Sequence, residues 1–177
     1  MDTLRRRPLL TTIDDWSTGR MLVDVDCADP SALLDRVAPA GHGIAVSAAR
    51  RDLSRVVLGA HQRRVAVAVV VDPCVPVDVT QRVAALIETI VLVSPPRAFV
   101  TLTHGTLEKL LVARRFLDAE GYAVGLGVLG VTALNAALVI EAGADLLMSA
   151  GADLVAVTQA VEDELSLQRM LRPALAR

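Results

Sequence analysis

Val65-Ala66-Val67-Ala68-Val69-Val70-Val71-Asp72 is an unbroken apolar run that stops on a carboxylate. Val and Ala in succession leave no polar face, so a strand built from them must be covered on both sides. Sheets of that kind are parallel, and right-handed βαβ crossovers supply the covering helices. Runs at 21–26, 43–47, 89–93, 99–103, 122–128 and 145–149 read in the same way. Between them, 31–37, 52–60, 79–88, 107–120 and 133–142 carry apolar residues at helical spacing, and a last helix spans about 154–171. Asp29-Pro30 marks a helix start with proline in its first turn. Thr106 is placed to cap the helix that follows, and Gly121 and Gly143 fall where left-handed C-terminal caps belong.

The expected fold is therefore α/β, with repeated βα units and a mainly parallel sheet in one domain over residues 1–177. Residues 1–19 read as an N-terminal extension and 154–177 as a C-terminal helix. Two architectures fit: a trimmed or imperfect (βα) barrel, or a doubly wound open sheet. A complete eight-stranded barrel generally needs more than ~200 residues. In either case ligands bind beyond the carboxyl ends of the strands.

Composition narrows the function classes. The chain has 53% hydrophobic and 21% charged residues, which excludes disorder, and a formal net charge of −2 with both signs scattered. No clustered basic face or aromatic platform argues for nucleic-acid binding. No apolar stretch reaches ~20 residues and no signal-peptide core follows Arg5-Arg6-Arg7, so the expectation is a cytoplasmic protein with no membrane partner. Cys27 and Cys74 form neither a disulfide framework nor a zinc spacing. Of the 18 basic residues only Lys109 is lysine, a bias expected of genomic composition.

The candidate chemistry sits at strand ends. Asp24 and Asp26 are two apart and so share one strand face. Buried carboxylates need solvent, a partner or a metal, which suits acid–base or divalent-metal work. Asp72 closes the third run. His104 stands just before a helix, where a general base or a phosphate contact belongs. Each of these also has a plain structural explanation as a polar strand end or a turn residue. Gly125, Gly127 and Gly130 match the dinucleotide spacing formally, without the acidic residue that should end the next strand. No cofactor is specified by the sequence.

The C-terminal third carries a resemblance. Val124-Gly125-Leu126-Gly127-Val128-Leu129-Gly130, a helix closing on Ile140-Glu141-Ala142-Gly143-Ala144-Asp145, and then Leu147-Met148-Ser149-Ala150-Gly151 resemble the last two units of phosphate-binding barrels. The pattern is most similar to the class I aldolase group of deoxyribose-phosphate aldolase and transaldolase. The resemblance implies a barrel in which Gly127, Gly130, Ser149 and Gly151 contact a substrate phosphate through closely approaching backbone. It also implies a Schiff-base lysine on a strand, and this chain has none. Lys109 lies in a helix, on the side away from Leu107, Leu110, Leu111 and Leu117, and is expected to face solvent. Schiff-base chemistry is accordingly not expected.

Three functional readings follow. The first is a small-molecule, phosphorylated-metabolite-binding protein resembling a degenerate aldolase. The second is a non-catalytic oligomeric assembly or regulatory protein, docking through the C-terminal helix. The third is a nucleotide-binding doubly wound domain.

Overall fold

Six of the seven apolar runs become strands, and these strands step in one direction around a single sheet. A computed structural model describes residues 9–12, 23–24, 29–93, 104–149 and 154–175 of the chain. Its strands are β1 (Leu9–Thr12), β2 (Val23–Asp24), β3 (Ile44–Ser47), β4 (Val67–Val71), β5 (Thr89–Val93), β6 (Gly125–Leu129) and β7 (Leu146–Ser149). The helices are α1 (Pro30–Val37), α2 (Leu53–Gln62), α3 (His104–Glu120), α4 (Ala136–Glu141) and α5 (Leu154–Leu175). The expected strand at 99–103 and the break at Ser94–Arg97 lie outside the described residues.

All pairings are parallel, and the sheet order is β1-β7-β6-β5-β4-β3-β2. A doubly wound sheet reverses its order at a switch point, and no reversal occurs here. From β2 to β7 each strand lies beside its predecessor, and β1 then pairs with β7, register Leu9 to Leu146. This is a partial (βα) barrel. That order does not fit the doubly wound open sheet on which the nucleotide-binding reading rested. Leu9–Thr12, expected to lie in an extension, is instead an edge strand of the sheet.

Stepping one way puts every helix on the same face. The outward residues Val46, Val67, Val69, Ile90, Leu92, Leu126, Val128 and Leu147 form one core with Leu34, Val57, Leu110, Leu117, Val139 and Val157 of the helices. The inward residues Ala68, Val91, Leu146 and Met148 form a second, smaller core together with Val70 and Leu129, with no helix residue in it. The inner layer is narrow. A Cβ on Gly127 would lie 3.1 Å from Met148 Cε and 3.4 Å from Leu146 Cδ2, so close packing accounts for glycine here.

Three local expectations are met. Asp29 Oδ1 accepts from Ser31 N at 3.0 Å and Ala32 N at 3.2 Å, with Pro30 opening α1. Gly121 and Gly143 have φ of 71° and 99°. Two others are corrected. Helix α3 begins at His104, so Thr106 is a buried first-turn residue rather than its cap. The crossover expected as an α-helix over 79–88 is a 3-10 helix, Val77–Leu86. Its buried residues are Val77, Thr80, Val83 and Ala84, and the first three recur every three positions, the period of a 3-10 rather than an α-helix.

The amino ends of the strands are tied by one ion pair. Asp145 Oδ2 accepts from Leu126 N at 2.9 Å and from Arg114 Nη1 at 3.1 Å, and Arg114 also pairs with Asp118 at 2.9 Å. The Arg114 side chain crosses Gly143 so closely that an added Cβ would sit 2.9 Å from Arg114 Cγ and Cδ. At the end of α2, Arg64 holds the left-handed cap position with φ 57°, although it carries a Cβ.

Opposite outcomes follow for these two positive-φ sites. Gly143→Ala must strain its backbone and displace Arg114, and chemical denaturation should show a loss of roughly 1–3 kcal/mol. Arg64→Gly relieves the cap, and the same measurement should show a gain of about 0.5–1 kcal/mol.

Candidate functional site

The carboxyl ends of the strands open onto the loops that a barrel uses for ligands. At the end of β3, Ser47 is half-buried, and its Oγ accepts from Ala49 N at 3.2 Å. Two residues beyond the register partner of Ser47, Asp72 leaves β4 with its side chain exposed. Ser47 Oγ reaches Asp72 Oδ2 over 3.5 Å, a long contact that leaves both groups accessible to a third. The β3–α2 loop adds Arg50, whose Nε donates to Asp52 Oδ1 at 2.5 Å, while Arg55 approaches Asp52 Oδ2 at 3.3 Å. The hydrogen bond from Arg50 holds the Asp52 carboxyl below its ordinary value of 3.8; desolvation works against this, and the charges of Arg50 and Arg55 reinforce it.

Lys109 is displaced from its expected place. It is half-buried, and its Nζ donates to the carbonyl oxygens of Asp72 (3.1 Å), Pro73 (2.5 Å) and Val75 (2.7 Å). The physical reason lies in the stripe of α3. Its buried residues are Thr106, Leu110, Ala113 and Leu117, whereas Leu111 is exposed. At 100° per residue Lys109 then sits about 70° from the centre of the stripe, on its margin and not opposite it. An ammonium has three N–H donors, and here all three have carbonyl partners. That arrangement suits a structural tie and not a nucleophile.

The other candidates are dispersed. His104 is the exposed first residue of α3, at the same end of the sheet. Asp24 is the last residue of β2, in register with Ala45; Asp26 lies outside the described residues. Among the positions the resemblance marks for phosphate, Gly127 is buried inside β6, Ser149 is 3% exposed, and Gly151 lies outside the described residues. Gly130, at φ 89°, and Val131 both direct their amides to Met148 O, at 3.0 and 3.1 Å.

Among the described residues no group of three or more His, Cys, Asp or Glu side chains could hold a metal ion. Two concavities lie away from the strand ends just described. One, of about 360 Å³, is lined by His61, Arg64, Val67, Ile87 and Glu88; the other, of about 400 Å³, lies between α1 and α2. No helix among the described residues is long and apolar enough to cross a membrane.

Arg50 is absent from the candidates read in the sequence, and Lys109 is expected there to face solvent. Arg50 had a signal, since it stands three residues past a strand end, where barrel loops carry function. Lys109 had only its singularity.

The pH dependence of stability carries a sign from Asp52. A carboxyl held below its ordinary value contributes stability above that value, and the contribution is lost as the pH falls through the folded one. Urea midpoints measured against pH should therefore drop on the acid side below about pH 4, and Asp52→Asn should flatten that limb.

No curated protein matches the chain significantly. Residues 19–154, most of the chain and nearly all of its βα units, match the model of the Ribulose-phosphate 3 epimerase family. With its parallel strands in sequential order and this match over most of its length, this chain belongs to the ribulose-phosphate 3-epimerase family.

Proposed function

We propose that this protein binds a phosphorylated ketose, or a close chemical relative, at the carboxyl ends of β2, β3 and β4. The observation that carries the reading is the approach of Ser47 to Asp72 at the open end of adjacent strands, in a chain of the epimerase family. A ketose presents hydroxyls and a carbonyl, and a serine beside a carboxylate offers both donor and acceptor to them. The exposed Arg51, next to Arg50 on the β3–α2 loop, supplies positive charge for the phosphate. Asp24 on the neighbouring β2, Asp26 two residues further along the chain and His104 at the start of α3 complete the candidate set, and Gly130, Ser149 and Gly151 remain proposals for the phosphate end.

Inversion of a carbon beside a carbonyl removes its proton on one face and returns one on the other. It needs two acid–base groups and a stabilised oxyanion. Asp72 is the described group best placed for one role, and Asp24 or Asp26 is the proposed second. The chemistry is enolisation, which needs no Schiff base.

The test is a thermal-shift titration with ribulose 5-phosphate and xylulose 5-phosphate, followed by proton NMR of the sugar in deuterated water. A ligand bound only by the folded state should add about 2.7 kcal/mol at a hundredfold excess over its Kd. Asp72→Asn and Arg51→Ala should each reduce the shift. Exchange of the proton at C3 would establish catalysis, whereas a shift without exchange would mean binding alone. No shift with any phosphorylated sugar sinks the reading.

A second reading, a homo-oligomer, is favoured by one observation. The last turns of α5 expose Leu167 (46%), Met170 (69%) and Leu171 (50%), an apolar patch suited to a symmetric partner. Sedimentation velocity should give more than one chain per particle, and Met170→Glu should dissociate it; a monomer for the unaltered chain discards this reading.

A further inference from the structure

Three main-chain carbonyls, from Asp72, Pro73 and Val75, converge on one point, and Lys109 Nζ occupies it. Carbonyl oxygens gathered in this way are the means by which proteins hold bare cations. The cation here is tethered to α3, and the carbonyls belong to the turn that leaves β4. Without a positive centre, three like-oriented dipoles would face each other at close range, and the turn would open. Asp72 contributes both a carbonyl to this cage and the carboxylate that meets Ser47.

We propose that Lys109 is a positioning residue, a tethered cation that holds the 72–75 turn in the conformation presenting the Asp72 carboxylate beside Ser47. The proposal rests on the reading of Asp72 as a ligand-binding group. A point-like ammonium with three rotatable donors fits three carbonyls that converge on one atom, whereas a guanidinium spreads its donors across a plane. The chain uses arginine at its other 17 basic positions and lysine only here. Whatever favours arginine in this composition has not replaced the one side chain whose work needs a point donor.

The turn contains its own reporter, because Cys74, between two of the clamped carbonyls, is a free and exposed thiol. The experiment compares Lys109→Ala and Lys109→Arg with the unaltered chain in a buffer whose only small cation is tetramethylammonium. Alkylation of the Cys74 peptide is followed by mass spectrometry, and the dissociation constant for ribulose 5-phosphate is measured beside it. Lys109→Ala should alkylate severalfold faster at Cys74 and bind the sugar phosphate severalfold more weakly. Methylammonium should reverse both effects, since it restores charge and N–H donors; tetramethylammonium, which has the charge alone, should not. Lys109→Arg should remain fast.

An unchanged Cys74 rate in Lys109→Ala, or a raised rate that methylammonium leaves raised, overturns the proposal. If truncation unfolds the chain, Lys109→Met keeps the apolar stem and gives the same comparison of rates. Should the unaltered chain bind no phosphorylated sugar while Cys74 still responds to the cation, the ligand reading of Asp72 fails and the clamp on the turn stands.

Discussion

Strand order that never reverses is the constraint from which the rest of this molecule follows. Because each crossover steps the same way, all the helices lie on one face, and the opposite face of the sheet is left to cover itself. Ala68, Val91, Leu146 and Met148 do so without help from any helix. Gly127 leaves Met148 the space there, since an added Cβ would lie 3.1 Å from Met148 Cε. Glycine inside a strand is ordinarily a weakness, and here it gives room to a buried neighbour.

Curling also sorts the polar groups by end. At the amino ends, Asp145 joins a strand amide to Arg114 of α3 in a partly buried arrangement at close range, although the buried Arg114 Nε has no hydrogen-bond partner. At the carboxyl ends, Ser47 and Asp72 meet only at long range. The difference matters chemically. Groups that satisfy one another hold a scaffold together, whereas loosely engaged groups at a strand end remain available to a ligand. Family membership and the location of the under-committed groups therefore point to the same end of the barrel.

Much of this was legible in the residues. The apolar runs located every described strand from β2 onward, and Asp29-Pro30, Gly121 and Gly143 marked helix ends through backbone chemistry that requires no tertiary context. Strand β1 was not legible. Leu9-Leu10-Thr11-Thr12 is too short to show a period and sits between arginines and aspartates, so only its pairing with β7 makes it a strand. The barrel itself was left open beside a doubly wound sheet, because strand order is a long-range property. The candidate site was legible as a list of strand ends but not as an arrangement. Asp72 was on that list, yet its proximity to Ser47 depends on the register of β3 with β4. Lys109 was misplaced because Leu111 was counted into a buried stripe that in fact runs through Thr106 and Ala113.

The 3-10 crossover between β4 and β5 has a consequence for how this chain can change length. With three residues per turn and a rise of about 2.0 Å, Val77, Thr80 and Val83 bury one side of it at whole turns of three, with Ala84 beside the last of them. Inserting or deleting one residue would swing the face a third of a circle out of the core. Inserting or deleting three would restore it, and the strands on either side would keep their register. Natural variation in this part of the barrel should therefore come in steps of three residues, and the turn that presents Asp72 would keep its shape while the crossover behind it grew or shrank.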